Sequence, residues 1–544
     1  MAEKLDCLVV GAGPAGIQVG AHFAAGGARV QVLEGAPRVG DFFARYPRSR
    51  RLISFNKVGT LWDDPELNLR WDWNSILTEE SAAGPVLQFR DFSADLYPPA
   101  DAMVRYLDEY VRRYHVPVRT ESRVRMIRKT GDEEFEVEIA GGEVLRCRFL
   151  VVASGWTKPY VPGIPGIDLC EGYETASLKP EDYRGQRVLV LGKGNSAAEV
   201  AEAAVESAAI VHMASPEPVR LAVRTHHPGG MRLHLARLLD MYQLKLLNAI
   251  LDCRVTDISQ DEAGYRVAVE YSHADGERDI LRYDRVIRCT GFRFDASIFD
   301  ASCRPALCID KRLPELTPTW ESVNVPGLFF AGTIAQADDF RVAGSGFIDG
   351  FRYNVRTLHG LLRERYFDEP YPSEQISGEP TALADDMLRR ASQSSALWLQ
   401  FGYLCDVFDI ASDGTATVWR EWPTRDLPGR WRSRRCVYTF TLEWGRPRGD
   451  VFAIHRHPSA ADAAESVFLH PVVRQWRYGQ VVATHHVLED LLGVYHPEFA
   501  PDMRRPADVP IHAYHERQHV APLTAFLASM HAAADGVGVS LPGA

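Results

Sequence analysis

The sequence predicts an α/β protein with two Rossmann-like dinucleotide-binding domains, the second inserted into a split first, and a C-terminal α+β module behind them. Three observations predict it. A glycine-rich turn, Gly11-Ala12-Gly13-Pro14-Ala15-Gly16, stands between an apolar run and a helical pattern. A second turn, Gly192-Lys193-Gly194-Asn195-Ser196-Ala197, stands in the same setting. Three later apolar runs each stop at a small residue followed by glycine. A strand, a glycine turn and a helix in that order form the context in which such a motif marks a dinucleotide site.

The elements follow in chain order. Residues 5–10 read as a buried strand, 14–25 as a helix and 29–34 as the next strand. Gly11 permits the tight turn, Gly13 lets the backbone approach a pyrophosphate, and Gly16 lets helix pack close on strand. The helix N-terminus presents free N–H groups to the phosphates. Glu34 closes the second strand, where its carboxylate can accept ribose hydroxyls, and Pro14 favours FAD over NAD at this site. The second unit repeats the pattern with a strand over 187–192, a helix over 198–207 and a strand over 209–213. No acid ends that last strand, which runs into Ser215, and Lys193, Arg220 and Arg224 could offset a 2′-phosphate against Glu217. NADPH is therefore expected ahead of NADH. Two such sites in one chain imply electron flow from a nicotinamide to a flavin.

Strands are also expected over 122–128, 135–139 and 148–152, the last leading into Ala153-Ser154-Gly155. Another runs from 284 into Cys289-Thr290-Gly291, and one near 326–332 ends at Gly332-Thr333, before a helix over 351–366. Composition narrows the function. The chain has 544 residues, 46% hydrophobic and 24% charged, as in ordinary globular protein. Its 61 Lys and Arg against 72 Asp and Glu give a net charge of −11, which argues against a nucleic-acid partner. No apolar run approaches the ~20 residues of a membrane span, and the start lacks the pattern of a secretion signal. Nine scattered cysteines without a C-x-x-C suit a reducing compartment, so a cytoplasmic location is expected.

The nucleotide motifs, their order and their rough spacing resemble the flavin-containing monooxygenase family. Phe42-Phe43-Ala-Arg-Tyr-Pro47, Leu52-Ile-Ser-Phe-Asn56-Lys57, Asp72-Trp-Asn74-Ser75, Phe347-Ile-Asp-Gly-Phe-Arg352-Tyr353 and Phe468-Leu-His470-Pro471 are similar to the narrower FAD-dependent oxidoreductase domain-containing group, over nearly the whole chain. The resemblance implies an NAD(P)H- and O₂-using monooxygenase that oxygenates a soft heteroatom, nitrogen ahead of sulfur, through an oxygen adduct at flavin C4a. Asn56 sits where the family places an asparagine over the flavin; the alternative is an Asn that caps a turn. Two departures stand out. Ala176 occupies the histidine position of the family's Phe-x-Gly-x-x-x-His pattern, which speaks against Baeyer–Villiger oxidation, and the Gly-Gly-x-Trp turn reads Gly40-Asp-Phe-Phe43. The group's reticulum member acts in protein degradation; without a signal sequence and retention tail, that role is not implied here. The other reading is a flavoprotein redox partner or scaffold that oxygenates nothing.

The flavin site is assigned Gly11, Gly13, Pro14, Ala15, Gly16, Glu34, Gly35, Phe43, Asn56, Val124, Ser154, Gly155, Gly332, Thr333 and Phe347, with Asn56 as the catalytic residue. The nicotinamide site is assigned Gly192, Lys193, Gly194, Asn195, Ser196, Ala197, Arg220, Thr290 and Gly291. The FAD domain is expected over 1–165 and 312–368, the nicotinamide domain over 166–311, a linker over 369–385 and the module over 386–544. A helical stretch over 231–252, with Leu233, Leu238 and Leu246 among its apolar residues, could roof the substrate cavity. Arg45, Arg48, Arg50 and Arg51 read as a basic surface turn, Cys303 and Cys308 as loop thiols, and His512, His515 and His519 as a packed helix face before a metal site. No metal is expected, and a homodimer is left open beside a monomer.

Overall fold

The computed structural model describes residues 4–78, 86–232, 235, 237–243, 248–445, 459–501 and 511–535. Its contacts divide the chain into two compact units. The first comprises Met1–Phe55, Asp91–Glu315 and Ser322–Val342; the second comprises Asn56–Arg90, Leu316–Glu321 and Ala343–Ala544.

The first unit contains two sheets. In the first, Val118–Arg119, Val30–Leu33, Leu5–Val10, Val144–Val152 and Leu328–Phe330 lie side by side, all parallel. These strands are short, apolar and β-branched, and residues such as Leu8, Val9, Val32, Phe149 and Leu150 are almost wholly buried. Such runs suit a parallel sheet covered on both faces. Val124–Gly131 and Glu134–Ile139 add an antiparallel meander to the outer half of Val144–Val152. The helix Pro14–Ala25 opens with proline, whose missing N–H costs nothing at a helix start. It lies close on the sheet because Gly20 carries no side chain; a Cβ there would come within 2.5 Å of Val32 Cγ2. The second sheet places Arg187–Leu191 between Ile210–Ser215 and Arg285–Arg288, again parallel, and Asn248–Asp261 pairs with the far side of Ile210–Ser215. Gly264–Tyr271 and Arg278–Tyr283 complete an antiparallel wing.

The second unit is built on a six-stranded antiparallel sheet in the order Glu374–Ser377, Thr415–Pro423, Leu404–Ile410, Val437–Trp444, Leu469–Arg477, Gln480–His486. Leu383, Met387 and Leu388 of the helix Pro380–Gln393 join Leu523 and Leu527 of Ala521–Asp535 against Phe440, Leu442 and Val473 of the sheet. Asp406, fully buried on its strand, accepts from Arg390 at 2.7 Å and Arg420 at 3.0 Å. A buried carboxylate is tolerable only when paired in this way.

Four expectations need correction. Residues 369–385 are no spacer: Glu374–Ser377 is an edge strand, and the proline taken as a linker residue starts the helix at Pro380. The helix expected over 231–252 is confined to Arg237–Gln243, because Asn248–Asp261 gains more by pairing with the neighbouring strand; Leu233 and Leu246 lie outside the described residues. The middle of the C-terminal module, which reads as helix from its sequence alone, contains the hairpin Leu469–Arg477 and Gln480–His486. The second nucleotide helix starts at Asn195 rather than 198, since extended Gly194 already caps it.

The second unit also buries imidazoles. His470 Nε2 and His486 Nδ1 lie 2.9 Å apart, and His485 stacks on Phe526. Burial, helped by the neighbouring histidine, pulls His485 and His486 from the ordinary 6.5 down to about 4. Unfolded chains therefore take up these protons first. Stability should be full above pH ~6.5 and fall progressively between there and pH ~4. Melting temperatures across pH 7.5–4.5 test this, and His486→Gln should flatten the decline.

Candidate functional site

At both glycine turns, backbone meets backbone. Gly11 adopts φ +104°, and a Cβ there would lie 2.7 Å from the carbonyl oxygen of Ala153. A Cβ on Gly16 would lie 1.9 Å from the carbonyl oxygen of Gly11. Gly13 differs: its backbone is extended and a Cβ would meet nothing within 4 Å. The outer glycines are thus demanded by the fold itself, whereas Gly13 leaves space at the helix start. That space is where a pyrophosphate would approach the exposed N–H groups of the Pro14–Ala25 helix. Glu34 stands at its edge, accepting N–H bonds from Ala12 at 2.9 Å and Ala36 at 2.8 Å. Ser154 Oγ is buried without a partner among the described residues.

The second turn repeats this arrangement. Gly192 adopts φ +128° and a Cβ would lie 2.4 Å from the carbonyl oxygen of Cys289; Gly194 again faces open space. Asn195 Oδ1 is buried without a partner among the described residues, and Ala197 is fully buried beneath it in the helix Asn195–Val205. Two open cradles, each at a helix start and each beside such a polar atom, fit two dinucleotides.

The comparisons with known proteins agree with this geometry. A family model described as "Pyridine nucleotide-disulphide oxidoreductase" matches residues 8–332. The chain belongs to that family. It is 36% identical over 543 residues to the FAD-dependent oxidoreductase domain-containing protein 2 of Mus musculus, covering 90% of this chain and 81% of the relative. The relative of the same name in Danio rerio is 34% identical, covering 89% and 80%. Bacillithiol disulfide reductase Bdr (YpdA) from Staphylococcus aureus shares the fold, with a TM-score of 0.51 at 19% identity over 67% of this chain and 99% of that one. Like other members of its family, the protein is a flavin-dependent oxidoreductase.

The remaining predicted residues fall around these cradles or in the second unit. Gly332, at φ +76°, brings its turn so near the first helix that a Cβ would lie 2.8 Å from Ala15 Cβ, and Thr333 follows in the same 3-10 turn. Gly155 and Gly291 also adopt positive φ, and Thr290 Oγ1 donates to the carbonyl of Tyr160 at 2.5 Å. Val124 is buried, a Cβ on Gly35 would lie 3.4 Å from Arg123, and Phe43 packs edge-on against Phe42. Asn56 and Phe347 belong to the second unit. Phe347 precedes the helix Ile348–Phe367. Asn56 is buried, bridges to Asp72 through the backbone and lines a small cleft with Lys57, Asn68, Leu69, Asp72, Gln88 and Arg90.

Three residues carry weight that the sequence reading missed. Arg352, fully buried, donates to the carbonyls of Asp72, Ser75 and Leu69 at 2.8–2.9 Å and so holds the segment that faces Asn56. Its only sequence signal is its place in the run after Phe347. Glu199 accepts from Tyr173 Oη at 2.6 Å and Ser49 Oγ at 2.8 Å, tying the segment after the flavin turn to the nicotinamide helix. Burial pushes the Glu199 carboxyl up from its ordinary value. Asp252, aligned with Ser215 on the next strand, forms an ion pair with Lys193.

That pair corrects one expectation. Lys193 Nζ donates to Asp252 and to the carbonyls of Ser215 at 3.0 Å and Glu217 at 2.9 Å, so its charge is spent within the protein. The arginine run is structural as expected: Arg45 pairs with Asp41, Arg50 with Asp101, while Arg48 and Arg51 donate to the carbonyls of Tyr173 and Tyr97. His515 and His519 bond to each other at 2.9 Å, and no metal-holding group occurs among the described residues; the His512 side chain lies outside them.

The glycines separate folding from binding. Gly13→Ala should melt like the native apoprotein but bind FAD at least about tenfold more weakly, because its methyl occupies only the open cradle. Gly194→Ala should stay yellow yet be reduced by NAD(P)H at least about tenfold less readily. Gly16→Ala should fail to fold, since something must move by more than an ångström. Flavin absorbance, stopped-flow reduction and thermal melting distinguish the three.

Proposed function

We propose that the protein is an NAD(P)H- and O₂-dependent monooxygenase that oxygenates a soft heteroatom, nitrogen ahead of sulfur, in a small molecule. The observation that supports it is the state of the thiols. An oxidoreductase that passes electrons to a disulphide through its own chain needs a reactive pair. Here all nine cysteines are free and eight are buried. Cys303 donates to the Ile127 carbonyl and Cys308 towards those of Leu313 and Pro314. Burial holds both thiols above their ordinary value, away from the thiolate that exchange chemistry requires. Dioxygen is then the natural outlet.

A bound flavin supplies the redox chemistry: it accepts hydride and activates O₂. The protein supplies the rest. The cradle at Gly13 binds and orients the flavin nucleotide, with Glu34 at its ribose side. The cradle at Gly194 orients the hydride donor, and Arg220, exposed beyond Ser215 and not neutralised by an ion pair among the described residues, takes the 2′-phosphate in place of the occupied Lys193. With Lys193 occupied, that preference for NADPH rests on Arg220. Asn56 offers an amide that donates and accepts without titrating, held in place by the segment that Arg352 anchors. In our reading it keeps oxygen from escaping as H₂O₂ before it reaches the substrate.

Rapid mixing of NADPH-reduced enzyme with O₂, in the presence of amines and thioethers, tests the reading. The expected result is H₂O₂ well below the NADPH consumed, with oxygenated amine making up the balance. Stoichiometric H₂O₂ with every acceptor would establish a redox partner or scaffold instead. Asn56→Ala should bind FAD and accept hydride normally but slow the oxygenating step by about 10²-fold, the effect of removing one pre-organised donor. A turn-capping Asn predicts the reverse, early melting with product per NADPH unchanged. Arg220→Ala should raise the apparent KM for NADPH about tenfold more than that for NADH.

A further inference from the structure

Arginines in the first unit mostly meet carboxylates: Arg119 with Glu143, Arg187 with Asp284, Arg285 with Glu171, Arg288 with Glu174. Three do not. Arg312, Arg341 and Arg220 have no ion pair among the described residues, in a chain of net charge −11. They are also gathered. The Arg312 guanidinium lies 4.8 Å from the Tyr160 ring centre and 5.4 Å from that of Trp156. Trp156 packs on Phe340 at 6.4 Å, and Arg341 lies 5.0 Å over Phe340. The result is a ladder of two guanidiniums on either side of two rings. Burial and then repulsion by Arg341 lower Arg312, while partial burial and repulsion by Arg220 lower Arg341, with Glu217 opposing.

Polar atoms in the ladder are left over. Arg312 Nη2 donates to the Phe292 carbonyl at 3.2 Å, but its Nε is buried without a partner among the described residues, as is Trp156 Nε1. Each is a donor, and buried donors without acceptors are costly. The backbone that delivers these side chains is unusual as well. Ile309, Asp310 and Lys311, directly before Arg312, have φ of +50°, +55° and +60°, and Arg341 has +62°. Side chains bearing a Cβ avoid this region, and strain of this kind is retained where function requires it.

The ladder stands where the chain crosses between the two nucleotide folds. Lys158–Pro159 pairs with Phe292–Arg293 there, and Gly291 comes within 3.1 Å of Arg312 Nη2 if given a Cβ. Converging cations, unpaired N–H donors and flanking aromatic faces are complementary to one chemistry, a planar or tetrahedral oxyanion.

We propose that Arg312, Arg341 and Arg220, with Trp156, form a binding site for an oxyanion group at this crossing. The anion is a phosphate of the coenzyme or the carboxylate of an acidic substrate, and the proposal stands whether or not the protein oxygenates. Calorimetric titration of the FAD-loaded, full-length protein with 2′,5′-ADP, 5′-AMP and benzoate tests it. If the source is the coenzyme, 2′,5′-ADP binds at least about tenfold more tightly than 5′-AMP, and Arg341→Gln abolishes that advantage. If the source is a substrate, benzoate binds and weakens at least about tenfold in Arg312→Gln and Arg341→Gln, with no preference for the 2′-phosphate. Unchanged affinity for all three probes in Arg341→Gln, or no measurable binding of any, overturns the proposal. Arg341 is exposed, so this variant folds even if Arg312→Gln does not, and its melting temperature confirms that.

Discussion

The contact between Gly16 and the Gly11 carbonyl organises the first unit. A helix can begin directly at a strand end only where no side chain stands between them, and the 1.9 Å left for a Cβ excludes every residue but glycine. Once that contact is made, the helix axis, the sheet and the exposed N–H groups are fixed relative to one another. The same constraint recurs at Gly192 against Cys289, and at Gly332 against Ala15. Strands distant in sequence are thereby brought to the same two helix starts, leaving Gly13 and Gly194 as the positions whose lack of a side chain the fold itself does not require.

How far the sequence reveals this depends on distance along the chain. The glycine turns are legible because their sterics are local: strand, turn and helix lie within one short window. The strand ends at Gly155, Gly291 and Gly332 are legible for the same reason. Asp252 is not. It neutralises Lys193 only because parallel pairing aligns it with Ser215, and nothing in the local sequence specifies that register. The first residues of the strand Asn248–Asp261, 248–252, likewise read as helix until their neighbour is known. Asn56 was singled out by resemblance, but the buried Arg352 that braces its surroundings comes from far along the chain.

The second unit follows a different logic. Its sheet is antiparallel and its core is apolar, yet it buries Asp406 between Arg390 and Arg420 and pairs imidazoles across adjacent strands. Each buried polar group is acceptable only with its partners in place. Composition cannot reveal such groups, because the same residues on the surface would read identically.

Glu199 has a consequence for turnover. Its carboxylate accepts from Tyr173 on its own side of the crossing between the nucleotide folds and from Ser49 on the other. Swinging one fold against the other would strip this buried acceptor of the Ser49 donor, at roughly 1–3 kcal/mol for a group left unsatisfied. The strap therefore works as a latch against wholesale domain rotation.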